Sequence, residues 1–130
     1  IASERGYIPV VAPIAVDDTG NSFNVNADEV AGSIAAAIRA KKLIVLTDVE
    51  GVLRDASNAS TLMSKLSVAE AKELMDKKVI KSGMLPKISS CLKAVDGGVE
   101  KAHIINGMRQ HSILLELFTT SGIGTMVYKG

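Results

Sequence analysis

Leu43-Ile44-Val45-Leu46-Thr47-Asp48-Val49-Glu50-Gly51-Val52 is the stretch that decides the fold. Leu43 to Leu46 are apolar without alternation, and Thr47 closes the run. A strand covered on both faces reads this way, so the pattern predicts a central strand of a parallel sheet. The chain then breaks into an Asp/Gly turn. Ligands of open α/β sheets bind at the carboxyl ends of such strands. Thr47-Asp48 therefore marks a candidate site, although an ordinary turn has the same composition.

Upstream, Asn26 with Glu29 three residues on resembles a capping box. Ala27, Val30, Ala31, Ile34, Ala35 and Ile38 follow at helical spacing. Most of these are small, so the helix can pack closely. Asn24, Asn26 and Asp28 stand at its start; for Asn26 an N-cap and a ligand role serve equally well, and for Asp28 a first-turn acid favoured by the helix dipole is the simpler alternative. Further back, Ile14 to Val16 and Ser22 to Asn24 flank the turn cluster Asp17-Asp18-Thr19-Gly20-Asn21 and predict a hairpin. Tyr7 to Ala12 reads as a buried strand; Pro9 either weakens that reading or places the strand near a sheet edge. Ile1 to Arg5 reads as a helix end; a chain opening there without Met resembles the interior of a longer protein.

Downstream, Arg54 to Ser60 is polar loop and Thr61 to Leu66 holds a short strand. Ser67-Val68-Ala69-Glu70 is a capping box opening a helix with Ala71, Leu74 and Met75 inward. Lys81-Ser82-Gly83-Met84-Leu85-Pro86-Lys87-Ile88 comes next. After Lys87, the residues Ile88, Cys91, Leu92 and Val95 form one apolar helical face, and Pro86 suits the first turn. Lys87 thus sits at a helix N-terminus, where an ammonium is mildly unfavourable unless an anion shares the place. A lysine that swings into solvent is the simpler alternative. Gly97-Gly98 ends that helix. Ala102 to Gly107 is a strand with its turn, His111 to Phe118 a short helix, Gly122 to Thr125 a tight loop, and Thr125 to Tyr128 a closing strand. The alternation predicts an α/β fold: a three-layer αβα sandwich with a largely parallel central sheet.

The chain has 130 residues, 47% hydrophobic, with net charge +1, enough for a single domain with a real core. No basic stripe and few aromatics argue against nucleic acid. The apolar runs are too short to span a membrane, and no signal peptide is expected. Cys91, the one cysteine, lies on the apolar helix face and cannot form an internal disulfide, which fits a reducing, cytoplasmic compartment. His103, His111 and one Cys make no metal-ligand pattern.

No single motif decides the chemistry. The combination does more: Asn-x-Asn-x-Asp opens one helix, Thr-Asp ends the best strand, and Gly-Met-x-Pro-Lys opens a later helix. Phosphoryl transfer uses such parts, because it rests on positioning and charge neutralisation.

These pieces, with Arg109 to Thr119 and Gly122-Ile123-Gly124-Thr125, resemble in order the C-terminal half of the acetylglutamate kinases, within the amino acid kinase family. The resemblance covers nearly the whole chain. It implies an ATP-binding C-terminal lobe spanning 1–130. The activity implied is ATP- and Mg2+-dependent phosphorylation of the side-chain carboxylate of N-acetyl-L-glutamate, in arginine biosynthesis. Asp28 and Lys87 match catalytic positions: Lys87 stabilises charge on the transferring phosphoryl group, and Asp28 organises the catalytic lysines. Asn24 and Asn26 match the acetylglutamate site. Thr47, Asp48, Gly51, Leu53, Gly83 and Met84 match the nucleotide pocket.

His103, Glu116 and Gly122 resemble the arginine-binding positions of the feedback-inhibited, hexameric members; a solvent-facing Glu and a strand-end His are the alternative. The tail resembles the plant and cyanobacterial-type enzymes, some of which bind the PII signalling protein. A plant-type source would place the chain in the plastid. The resemblance further implies a homo-oligomer in the full-length form, and an N-terminal lobe, with a Gly-rich phosphate loop and a second lysine, that this chain does not contain. The isolated chain is then expected to be inactive. An arginine-sensing or partner-binding module of the same fold is the alternative. Two departures stand out: Ser82 replaces the usual Gly, and Asn106-Gly107-Met108 replaces Asp-Gly-Arg.

Overall fold

The computed structural model describes residues 2–130, with side chains from Glu4 onward. Ile1, the first residue of the expected helix end, lies outside the described residues. Ala2–Arg5 is a turn of 3-10 helix, followed by Gly6 at φ 81°.

The expected hairpin is present. β1 (Ile14–Val16) and β2 (Ser22–Asn24) pair antiparallel around a turn tied by Asp17. The Asp17 carboxylate accepts from the Asn21 side chain, from Thr19 and from the Asn21 backbone N–H; these bonds hold its pKa down at about 2. Tyr7 to Ala12 departs from expectation. It forms no strand and is exposed, with Ile8 at 90% and Val10 at 96%. Its apolar pattern satisfies the composition of a buried strand, but no described neighbour offers it a hydrogen-bond ladder.

A four-stranded sheet carries the rest: β3 (Lys42–Thr47), β4 (Lys65–Ser67), β5 (Lys101–Asn106) and β6 (Thr125–Tyr128), in the order β3-β5-β6-β4. β3 runs parallel to β5 and β4 to β6, while β5 and β6 are antiparallel. The sheet is mixed and mostly parallel. β3 was expected at its centre and instead forms its edge, with Leu46 49% exposed. A uniformly apolar strand reports that apolar cover suits both faces, not how many strands flank it.

Helices occupy both faces. α1 (Ala27–Ala37), α2 (Val68–Asp76) and α3 (Leu85–Asp96) share one face with the main core, and α4 (Ser112–Phe118) lies on the other. Strand alternation makes the division: Ala102 and Ile104 of β5 pack in the α3 core, so His103 and Ile105 point toward α4. The α3 stripe is buried as its spacing predicts, with Ile88, Cys91, Leu92 and Val95 packed against Val45, Leu66 and Val127. Ser67 and Glu70 close the predicted capping box. The α1 stripe is only partly buried. Gly32 and Ala35 are its covered residues, while Ile34 and Ile38 are 37% and 64% exposed. The helix turns its smallest residues toward α3, where the approach is close, and leaves the larger ones outside.

Cys91 is fully buried, and that burial, with the Asp28 charge adding, pushes its thiol up to about 12. A thiol reagent at pH 8 should therefore label Cys91 only at denaturant concentrations that unfold the chain. Prompt labelling of the folded protein would contradict this packing.

Candidate functional site

β3 ends at Thr47, and the Asp48–Gly51 turn curls back beneath Val52. The backbone N–H of Val52 donates to Thr125 Oγ1 at 2.8 Å, which ties the turn to β6. Gly51 has φ 149°, and a Cβ there would stand 2.7 Å from Thr125 Oγ1 and 2.9 Å from Leu62 Cδ1. Gly51→Ala should thus cost about 1–3 kcal/mol in a urea melt, from overpacking and backbone strain together. A wild-type melting profile would show that the turn has room to spare.

Opposite this turn, Ser82–Met84 makes one 3-10 turn and leads directly into α3. Ser82 holds no positive φ, so its departure from glycine leaves the turn intact. Gly83 is also at an ordinary φ, and a Cβ on it would meet nothing within 4 Å. The fold does not require glycine there. What a side chain would occupy is the cavity between the two turns, about 490 Å³ in volume.

Thr47, Asp48, Gly51, Leu53, Gly83 and Met84 all line that cavity, and so does Lys87. Lys87 is the third residue of α3 and does not swing free. Its Nζ lies 3.0 Å from Asp28 Oδ2, and both side chains are 22% exposed. Asp28 comes from the first turn of α1, so the pair joins two helix N-termini at one place. Asn26 is the α1 N-cap, its Oδ1 accepting from the N–H groups of Asp28 (2.9 Å) and Glu29 (3.3 Å). That leaves the amide NH2 to face outward work. Asn24 ends β2 and is exposed; neither asparagine lines the cavity. Asn106, one of the departures, donates to Glu50 Oε1 at 2.9 Å and so braces the same turn from β5.

Among the described residues no three His, Cys, Asp or Glu side chains cluster as a metal cage. A divalent cation arriving on a polyphosphate needs no such cage, because magnesium keeps phosphate and water ligands. The residues present fit that arrangement: a carboxylate at Asp48, an ammonium at Lys87, and a wall at Gly83 without a side chain. Val49, Ile80 and Lys81 also line the cavity and were not singled out by sequence. Only Lys81, beside Ser82-Gly83, carried a readable signal.

A second cavity, about 270 Å³, lies on the α4 side. His103, Glu116 and Gly122 line it together. Glu116 is buried, not solvent-facing, and His103 is buried beside it. Glu116 Oε1 meets His103 Nδ1 at 2.7 Å, and Oε2 accepts from the N–H groups of Ile123 (2.6 Å) and Gly124 (3.0 Å). Burial alone would raise the Glu116 pKa. The Ile123 N–H, His103 and the Gly124 N–H outweigh it, and the net shift is downward. An ionised carboxylate only accepts, so Nδ1 carries the His103 proton. Nε2 of His103 is buried without a hydrogen-bond partner. Lys42, Lys65 and Lys101 line the same cavity; Lys42 and Lys101 open β3 and β5 in register, which sequence alone did not suggest.

Comparison with known proteins bears on the family and the fold. The family model described as "Amino acid kinase family" matches residues 2–106. Acetylglutamate kinase of Archaeoglobus fulgidus is 55% identical over 127 residues, covering 98% of this chain and 44% of that protein. The Methanosarcina barkeri acetylglutamate kinase is 57% identical over 129 residues, covering 99% and 40%. This chain thus spans less than half the length of the curated relatives it matches. Among solved structures, N-acetylglutamate synthase from Neisseria gonorrhoeae, complexed with coenzyme A and L-arginine, superposes with a TM-score of 0.88 at 35% identity, covering 98% of this chain and 29% of that one. Carbamate kinase from Giardia lamblia bound to AMP-PNP, at 16% identity and a TM-score of 0.68, covers 90% of this chain and 37% of that one and shares the fold. By its sequence model and by its architecture, this chain belongs to the amino acid kinase family.

Proposed function

We propose that this chain is the nucleotide-binding half of an acetylglutamate kinase, acting in arginine biosynthesis in the cytoplasm. The observation that carries the reading is the Lys87–Asp28 pair, 3.0 Å apart, on the wall of a cavity at the carboxyl end of β3. Curated relatives at more than 50% identity bear the acetylglutamate kinase name, which supports N-acetyl-L-glutamate as the acceptor.

On this reading the cavity takes the nucleotide, and magnesium arrives on its phosphates. Met84, Val52 and Ile80 offer apolar surface to a base, while Gly83 lets backbone approach the phosphates. The Lys87 ammonium neutralises charge on the transferring phosphoryl group, where such stabilisation contributes most. Asp28 holds that ammonium in place and keeps it from folding outward. The free NH2 of Asn26, with Asn24, faces the acceptor. The rest of the acceptor site is assigned to the part of the relatives that this chain does not span. The chain alone binds nucleotide but transfers little phosphate.

A calorimetric titration of the 130-residue chain with magnesium–ATP tests this. Saturable binding is expected; a folded chain that releases no heat and gains no thermal stability with nucleotide would defeat the reading.

A second reading has its own observation. His103 and Glu116 line a cavity rimmed by three lysines, and the buried Nε2 of His103 has no hydrogen-bond partner. A guanidinium can meet the Glu116 carboxylate, and lysines can hold a carboxylate, so arginine suits the cavity. The synthase similar to this chain was solved with L-arginine. The reading adds feedback control to the kinase; homo-oligomer formation and docking of a PII-type partner belong to the same proposal and rest on resemblance alone. Arginine should raise the melting temperature, and Glu116→Ala should abolish that rise. An arginine response untouched by Glu116→Ala would place the ligand elsewhere.

A further inference from the structure

The contact between α1 and α3 repeats down its length. Asp28 faces Lys87, Gly32 faces Ser90, and Ala36 faces Gly97. The helices therefore run side by side in the same direction, with both N-termini at the site. Gly32 lies one turn below Asp28 on α1, and Ser90 one turn below Lys87 on α3. The approach at this second level is very close. A Cβ on Gly32 would stand 2.6 Å from Ser90 Oγ and 2.7 Å from the Ser90 carbonyl oxygen. Ser90 is 1% exposed, and its Oγ donates to the backbone carbonyl oxygen of Asp28 at 2.5 Å.

That bond is unlike ordinary helix packing. The Asp28 carbonyl already faces the α1 hydrogen-bond ladder at Gly32, so the hydroxyl is not needed to satisfy it. What it adds is a fixed distance between α3 and the one residue of α1 whose carboxylate holds Lys87. We propose that Ser90, seated against Gly32, is a positioning residue: it anchors the Asp28 backbone so that the Asp28 carboxylate holds the Lys87 ammonium toward the nucleotide phosphates. This rests on the nucleotide role assigned above to Lys87.

The two ideas separate in a double-mutant cycle read by magnesium–ATP titration. Ser90→Ala should weaken binding about three- to tenfold, and the buried bond it removes should also lower the melting temperature by a few degrees, equally in either background. In a Lys87→Ala background the same substitution should change affinity by less than about twofold, because its route to the nucleotide is gone. Ser90→Gly, which also lacks the hydroxyl and adds no bulk at this close approach, should match Ser90→Ala in both backgrounds and gives a second route. An equal loss in both backgrounds would make Ser90 a packing residue only and overturn the proposal. So would full affinity in Ser90→Ala while Lys87→Ala binds weakly. If Lys87→Ala itself binds normally, the nucleotide role of Lys87 fails first and the positioning role falls with it.

Discussion

Replacing Lys87 by alanine lowers magnesium–ATP affinity about ten- to a hundredfold, the range for losing one charge-assisted bond to phosphate. The chain stays folded. Lys87 is partly exposed, its aliphatic stem is not part of the main core cluster, and the ion pair with Asp28 is reached by water. Solvent screening holds the stability change to about 1 kcal/mol. Asp28→Asn separates holding from binding: the ammonium remains, but its tether is weakened, so affinity falls less than in Lys87→Ala. Isothermal titration with parallel melting curves checks both. Equal binding by wild type and Lys87→Ala would remove Lys87 from the site, whatever its place on the cavity wall.

The largest expected loss of stability lies at Glu116. One buried carboxylate accepts from the His103 ring and from two backbone N–H groups in the Gly122–Gly124 loop. Alanine there strands three donors at once, two of them buried, and costs about 3–5 kcal/mol. Glutamine is not a rescue. Its amide has one accepting oxygen, so its NH2 must face either the His103 N–H or the backbone donors. The pH dependence has a definite sign. The folded carboxyl titrates below its ordinary 4.5, so its contribution is fully present above that value and fades as pH falls through the folded pKa. The stability gap between wild type and Glu116→Gln should narrow in acid. A gap that is constant, or that widens below pH 4, would mean the carboxyl is not held ionised by these donors.

Glu116 also shows where sequence reading runs out. Its partners are 13, 7 and 8 residues away, across a strand, a turn and a helix. No periodicity encodes such a meeting, and resemblance alone grouped His103, Glu116 and Gly122. Local features were easier. The capping box at Ser67, the apolar face of α3 and the Asn26 cap are set by spacings of three and four residues, and all were legible. The Lys87–Asp28 pair, 59 residues apart, was legible from the residues themselves only as an electrostatic puzzle, a cation at a helix N-terminus that wants an anion; the resemblance named Asp28 as its organiser. A carboxylate meets that need in the folded chain. The edge position of β3 and the exposure of Tyr7 to Val11 were not legible, because strand order is decided by which neighbours exist and not by a strand's own residues.

Among the described residues one side of β3 is unflanked, which has a practical meaning for anyone handling this chain. A long apolar strand with free N–H and C=O groups along one side is a template on which another strand can add. Concentrated stocks of this chain are thus at risk of growing by strand-to-strand accretion, which light scattering would register as a slow, concentration-dependent rise. Leu46 stands half exposed on that strand. A lysine in its place would put charge on the growing edge.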